Sequence, residues 1–93
     1  MSEEQFVKLK FIIENGTIGE RNKAFEDLKE LPFEDIREFL FEGLQNNHHR
    51  IRSQCAKILG QKGDEMIIFP LLQTMGDDSW AIRKSAQEAL KQM

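Results

Sequence analysis

Asp77-Asp78-Ser79-Trp80-Ala81-Ile82-Arg83-Lys84-Ser85-Ala86-Gln87-Glu88-Ala89-Leu90 decides the fold, because the chain has already used its pattern upstream. Ile51-Arg52-Ser53-Gln54-Cys55-Ala56-Lys57-Ile58-Leu59 stands 31 residues before Ile82–Leu90 and shares its Ile, Arg and Leu, with small Cys55 in the place of Ala86. A second step of 31 reaches Arg21, Ala24, Glu26, Leu28 and Lys29, which match Arg83, Ala86, Glu88, Leu90 and Lys91. Three columns result: Arg21, Arg52 and Arg83; Ala24, Cys55 and Ala86; Leu28, Leu59 and Leu90. The segments between obey the same offset. Ile36, Leu40, Phe41 and Leu44 correspond to Ile67, Leu71, Leu72 and Met75, and Leu9 and Ile13 correspond to Leu40 and Leu44. A fixed period of this length marks a solenoid of supersecondary units.

Spacing within the unit is helical. Ile36, Leu40 and Leu44 recur at i, i+4, i+8, and Ile51, Cys55, Ile58 and Leu59 at i, i+4, i+7, i+8, each a one-sided apolar stripe. Asn15-Gly16, Asn46-Asn47 and Asp77-Asp78 occupy equivalent places before a helix, where Asn and Asp accept bonds from free first-turn N–H groups. Gly60 is expected as a left-handed C-terminal cap. Gly63-Asp64 restarts the chain with Asp64 as N-cap, and Pro32 takes the place of Gly63. Six helices are predicted, over about 3–14, 18–30, 34–45, 48–60, 65–75 and 79–92. Short loops make neighbours antiparallel. The chain reads as one domain: a half repeat 3–14, repeats 16–45 and 47–76, and a half repeat 78–93.

Composition narrows the function. The chain is 40% apolar and 31% charged with a formal charge of -3, a folded balance without the basic footprint of a nucleic-acid binder. The lone Cys55 makes no intrachain disulfide, which points to a reducing compartment. The polar start Met1-Ser2-Glu3-Glu4 is unlike a signal peptide. The longest apolar run, Met66 to Leu72, has seven residues and contains Pro70, against the roughly 20 that a spanning helix needs. The expected location is the cytoplasm.

Residues 77–90 resemble the first helix of a HEAT-like repeat, and so does the run from His49-Arg50-Ile51-Arg52 to Leu59-Gly60. The subtype they are similar to is the one named for phycobilisome bilin lyases, with its Asp, apolar-Arg and terminal Leu-Gly. Pro70-Leu71-Leu72 is similar to that subtype's second helix. The likeness is strong over 47–93 and weaker over 16–46, where Glu20 replaces Ile51 and Ile82, and Asp27 replaces Ile58 and Ala89. Ile18 and Phe25 are the candidates to restore apolar surface there. The resemblance implies an all-α fold, a short right-handed α–α solenoid of HEAT-like repeats. It also implies that Arg21, Arg52 and Arg83 bridge to a carboxylate near the adjacent repeat's turn, with Asn47 and Asp78 as structural repeat positions.

No catalytic constellation is present, and the expectation is a non-enzyme without cofactor or metal. His48 and His49 are adjacent, so on a helix they point about 100° apart and do not share an ion. The His-Glu pairs of HEAT-like di-iron hydroxylases are missing, since Arg50 follows His49; a loop or cap role is expected. Cys55 sits in a small-residue core column, where a thiol packs as a hydrophobe. Gly16 and Gly19 fit no phosphate-loop fingerprint. Trp80, in the first turn of the last helix, either anchors a partner or folds back on Ile82 or the preceding helix, the latter being favoured.

What is left is binding, expected in the groove that the resemblance assigns to the second helix of each repeat. The helix at 34–45 carries Glu34, Asp35, Glu38 and Glu42 against Arg37, with Phe41 beside them. The helix at 65–75 is apolar nearly all round, and Ile68, Phe69 and Leu72 need a cover other than the core. These residues with Trp80 suit a protein or peptide that is amphipathic and basic, in a protein-interaction or scaffolding role. The alternative is an accessory subunit of an enzyme, such as a bilin-lyase-like or chaperone-like factor. Nucleic acid and membrane are not expected partners. Phe6, Val7, Leu9, Phe11, Ile12 and Ile13 are more apolar residues than one helix face hides, which makes an end helix a candidate surface for a homodimer.

Overall fold

The structure, a computed structural model, describes residues 3–62 and 65–92; the expected restart and cap at Gly63-Asp64 lie outside them. Among the described residues there are six α-helices and no strand. They are α1 (Glu3–Asn15), α2 (Ile18–Lys29), α3 (Phe33–Gly43), α4 (His49–Lys62), α5 (Ile68–Thr74) and α6 (Trp80–Lys91), with a 3-10 turn at Glu65–Ile67. The fold is all-α, as the spacing requires. The chain forms two compact units, residues 1–36 and 37–93.

In the first unit α1 packs against α2. Ile13, Ala24, Phe25, Leu28 and Ile36 are its buried apolar residues. Phe25 supplies the apolar surface that Glu20 and Asp27 withhold, whereas Ile18 is 52% exposed and supplies none. Asn15-Gly16 ends α1 instead of opening α2. Asn15 is the last helical residue, and the Gly16 N–H closes on the Ile12 carbonyl at 2.8 Å. The opening is made by Thr17-x-x-Glu20. The Glu20 N–H donates to Thr17 Oγ1 at 3.2 Å, and the Thr17 N–H donates to Glu20 Oε1 at 2.9 Å, a reciprocal box that satisfies two orphan donors. The bonds from the Thr17 backbone and side chain hold the Glu20 carboxyl below its ordinary range.

In the second unit the main packing is α4 on α6, with α5 also against α6. Ile51, Cys55, Ala56, Ile58 and Leu59 of α4 are buried, as are Ile82, Ala86 and Ala89 of α6. The small-residue column, Ala24, Cys55 and Ala86, is buried throughout, as are Leu28 and Leu59 of the leucine column, whereas Leu90 is half-buried. Gly60 is not a cap, because α4 continues through it to Lys62. It is buried against α6, where a Cβ on Gly60 would overlap the Ala89 side chain and lie 2.6 Å from Ala89 Cα. Gly43, at the end of α3, makes a similar approach to Cys55, whose Sγ occupies the space a Cβ would need. The helix expected over 65–75 is divided. Pro70 has no N–H to donate to the Met66 carbonyl, and the chain before Ile68 tightens into the 3-10 turn.

These contacts fix opposite signs for two glycine substitutions. Gly19, also helical, has nothing within 4 Å of a built Cβ, so Gly19→Ala gains stability, by roughly 0.5 kcal/mol from backbone propensity. Gly60→Ala receives the same propensity gain but must push α4 off the α6 backbone, for a net loss of roughly 1–3 kcal/mol. Urea unfolding of the two variants checks the signs.

Candidate functional site

Each of α2, α4 and α6 carries an arginine at its fourth residue. Arg21 is buried, and its Nε donates to the Ile13 carbonyl at 2.7 Å, with Nη2 3.4 Å from the Gly16 carbonyl. Arg52 Nη1 donates to the Asn46 and Asn47 carbonyls at 2.8 and 3.2 Å. Arg83 Nη1 donates to the Asp77 carbonyl at 2.7 Å. The shared job of the column is thus to hold carbonyls in the turn or helix end just upstream. That use suits a fork of donors that keeps its charge.

Arg52 alone does what the resemblance implied for all three. Its Nη2 donates to Asp77 Oδ1 at 3.3 Å, in the next turn of the repeat. Nε is 2.9 Å from Oδ2 but not along its N–H direction, an ion pair without a hydrogen bond. For Arg21 the position equivalent to Asp77 is Asn46, which has no charge. The turn side chains that accept from the backbone are Asn46 and Asp77, one residue earlier than Asn47 and Asp78, and each bonds the residue just before its helix. Asn46 Oδ1 accepts from the His48 N–H at 2.8 Å, and Asp77 Oδ1 accepts from the Ser79 N–H at 2.9 Å. The two-residue span of such a turn places them there. Asp78 has a side chain 98% exposed, 3.8 Å from Arg52 Nη2, and adds little. Burial raises the Asp77 carboxyl's pKa, but the Ser79 N–H and Arg52 outweigh it and bring it below the ordinary value.

The remaining candidates divide cleanly. His48 caps α4, with Nδ1 accepting from the Arg50 N–H at 3.2 Å, and its ring stacks on His49. Cys55 is fully buried, and burial pushes its thiol up to about 12, which keeps it un-ionised and unreactive near neutrality. Trp80 does not fold back: it is 67% exposed, with Lys84 Nζ 5.3 Å from its ring centroid. On α3, Glu34, Asp35, Glu38 and Glu42 are exposed, while Arg37 and Phe41 are half-buried. Arg37 Nη1 donates to Met66 Sδ at 3.5 Å.

Helix α5 has two distinct sides. Leu71 and Thr74 are buried, as is Ile67 just before them, and Thr74 turns its hydroxyl back to the Pro70 carbonyl at 2.9 Å. On the other side Phe69 is 68% and Leu72 54% exposed, with Ile68 partly so. Met66 and Met75 extend the exposed set, although Met75 stands 31 residues after the buried Leu44.

Among the described residues no three His, Cys, Asp or Glu side chains form a group able to hold a metal ion, and no helix is long and apolar enough to cross a membrane. The molecule is an all-α repeat protein whose arginines and capping side chains serve its own turns. It belongs to the HEAT-repeat family, whose repeat model matches residues 9–93. No curated protein matches the chain.

Asp77 gives a test with two separable parts. Asp77→Asn keeps an acceptor for the Ser79 N–H and loses only the charge facing Arg52; Asp77→Ala loses both. Losses of roughly 1 and 2–3 kcal/mol are expected at neutral pH. Because the folded carboxyl is held low, its stabilisation is complete above the unfolded value of about 4 and fades as pH falls through the folded one. The stability gap between wild type and Asp77→Asn should therefore narrow in acid, as read by urea unfolding at pH 7 and pH 3.

Proposed function

We propose that this chain is a non-catalytic docking module that takes a basic, amphipathic helical segment of another protein along the second helices of its repeats. HEAT repeats commonly mediate protein interactions. The observation that carries the finer reading is the outer side of α5. Phe69 and Leu72 are more than half exposed in a helix whose opposite side is fully used by the core. Covering each of them with a partner contributes up to roughly 1.5–3 kcal/mol before the costs of association. The charge preference comes from α3, where Glu34, Glu38 and Glu42 are exposed and Arg37 is their only cation. Phe41, Ile68 and Trp80 complete the proposed contact set. An apolar strip with acidic residues selects a helix with one greasy and one basic side.

Capture from the native cell tests this with three baits besides wild type. Phe69→Ser/Leu72→Ser removes the apolar strip, Glu38→Lys/Glu42→Lys reverses the acid, and Val7→Ser/Phe11→Ser serves as a control on α1. A partner held by wild type should fall at least about tenfold with the first two baits and persist with the control, a loss equivalent to roughly 1.4 kcal/mol or more. Equal retention by all four would contradict the proposed face.

A further inference from the structure

Asn15 and Gly16 close α1, and each is held in place by its own contacts. The exposed Asn15 side chain turns back along the helix, where Nδ2 donates to the Phe11 carbonyl at 3.1 Å. The Gly16 N–H donates to the Ile12 carbonyl at 2.8 Å. A Cβ on Gly16 would lie 2.6 Å from that carbonyl oxygen and 3.1 Å from Glu20 Cβ, so the place requires glycine. Arg21 of α2 reaches the same spot, with Nη2 3.4 Å from the Gly16 carbonyl and Nε on the Ile13 carbonyl at 2.7 Å. The dipeptide is therefore where the end of α1 is tied to α2.

The same two residues form a chemically reactive pair. An asparagine followed by glycine cyclises readily, because no side chain on the next residue hinders approach of its backbone nitrogen to the carboxamide carbon. The Gly16 nitrogen gives up its proton and bonds to Asn15 Cγ, the Cγ–Nδ2 bond breaks, and Nδ2 leaves as ammonia. Water then opens the cyclic imide at either carbonyl. The product is aspartate, or isoaspartate with the chain running through the side-chain carbonyl. Asparagine and water become an acid and ammonia, so solvent is the only co-reactant. Asn22, Asn46 and Asn47 are followed by Lys23, Asn47 and His48, whose side chains hinder the same attack.

In the closed structure the reacting atoms are engaged elsewhere. The nucleophile's N–H is given to Ile12, the departing amide is tied to Phe11, and Asn15 is the last residue of the helix. Cyclisation requires both bonds to break and the Asn15 backbone to leave its helical dihedrals. We propose that Asn15 is a deamidation site gated by the end of α1, inert while the Ile12–Gly16 bond is closed and converted one way when it opens. The product does not close as before. A carboxylate at position 15 has no N–H for the Phe11 carbonyl and puts negative charge at the negative end of α1. In isoaspartate the added backbone carbon displaces the Gly16 N–H from Ile12 and the Gly16 carbonyl from Arg21. Conversion thus loosens α1 from α2 and makes a passing opening permanent.

The full chain, incubated in neutral buffer with and without urea, gives the test. Conversion at Asn15 is followed by peptide mass mapping, with isoaspartate counted by enzymatic methylation of its carboxyl. Folded wild type should convert at least roughly tenfold more slowly than the urea-unfolded chain, since opening limits the reaction. Hydrogen exchange of the Gly16 amide measures the same opening independently. On warming wild type, and in Thr17→Ala, which loses the side chain that opens α2, the two protections should fall together. Conversion of folded wild type at the unfolded rate, or conversion that accelerates while the Gly16 amide stays protected, would overturn the gating. Asn15→Asp, which mimics one product, should melt below wild type; equal or higher melting would overturn the loosening.

Discussion

The close approach of α4 and α6 is the constraint on which the second unit depends. Gly60 lets the two backbones come together beside Ala89, and Ser53 and Ser85 meet further along the same seam. Small residues on both sides bring the larger ones, Ile51, Leu59 and Ile82, fully out of water. The turn-end of the seam is closed by charge. Asp77 receives Arg52 from α4 on its carboxylate and Arg83 from α6 on its carbonyl. One aspartate therefore joins two successive repeats and starts the second of them through the Ser79 N–H. Such a pair lies neither in bulk water nor fully buried, with side-chain exposures of 15% and 12%. Its loss is consequently felt without the pair dominating stability.

With first helices joined this way, second helices have more freedom. Helix α5 is two turns long, and Pro70 prevents it from reaching back as regular α-helix. It needs only Ile67, Leu71 and Thr74 to hold its inner side. Its outer side contributes nothing to the core, so Phe69 and Leu72 can be chosen for a partner at little cost to the fold. In this unit the close packing is made by α4 and α6, and the exposed apolar residues are carried by α5.

Much of this was legible in the residues, and the exceptions have identifiable causes. Ile51, Cys55 and Ile82 declare their burial by spacing, and the arginine column declares itself by register. At Gly60 the sequence does not distinguish a cap from a packing contact, because a glycine near a helix end suits both a left-handed turn and a close helix approach, and only the neighbour, Ala89, decides. Thr17-x-x-Glu20 was a readable box, overshadowed by Asn15-Gly16, which resembles the other turns by register but ends α1. The sequence favours a folded-back Trp80, and the exposed ring departs from that because the two alternatives differ only in what lies beside the first turn of α6. The candidate site was legible as an excess of apolar residues around α5. Which of them face outward was less so: Met75 keeps the core register yet is 38% exposed, since it follows the end of the helix.

The α4–α6 seam carries the stability of its unit, while α5 is held on one side only. Native-state hydrogen exchange, read amide by amide, measures this directly. Amides of Cys55 to Leu59 and of Ala86 to Ala89 should exchange only by global unfolding, and those of Leu71 to Thr74 by a smaller opening. If the α5 amides prove as protected as those of α4 and α6, or if α4 opens before α5, the account is wrong.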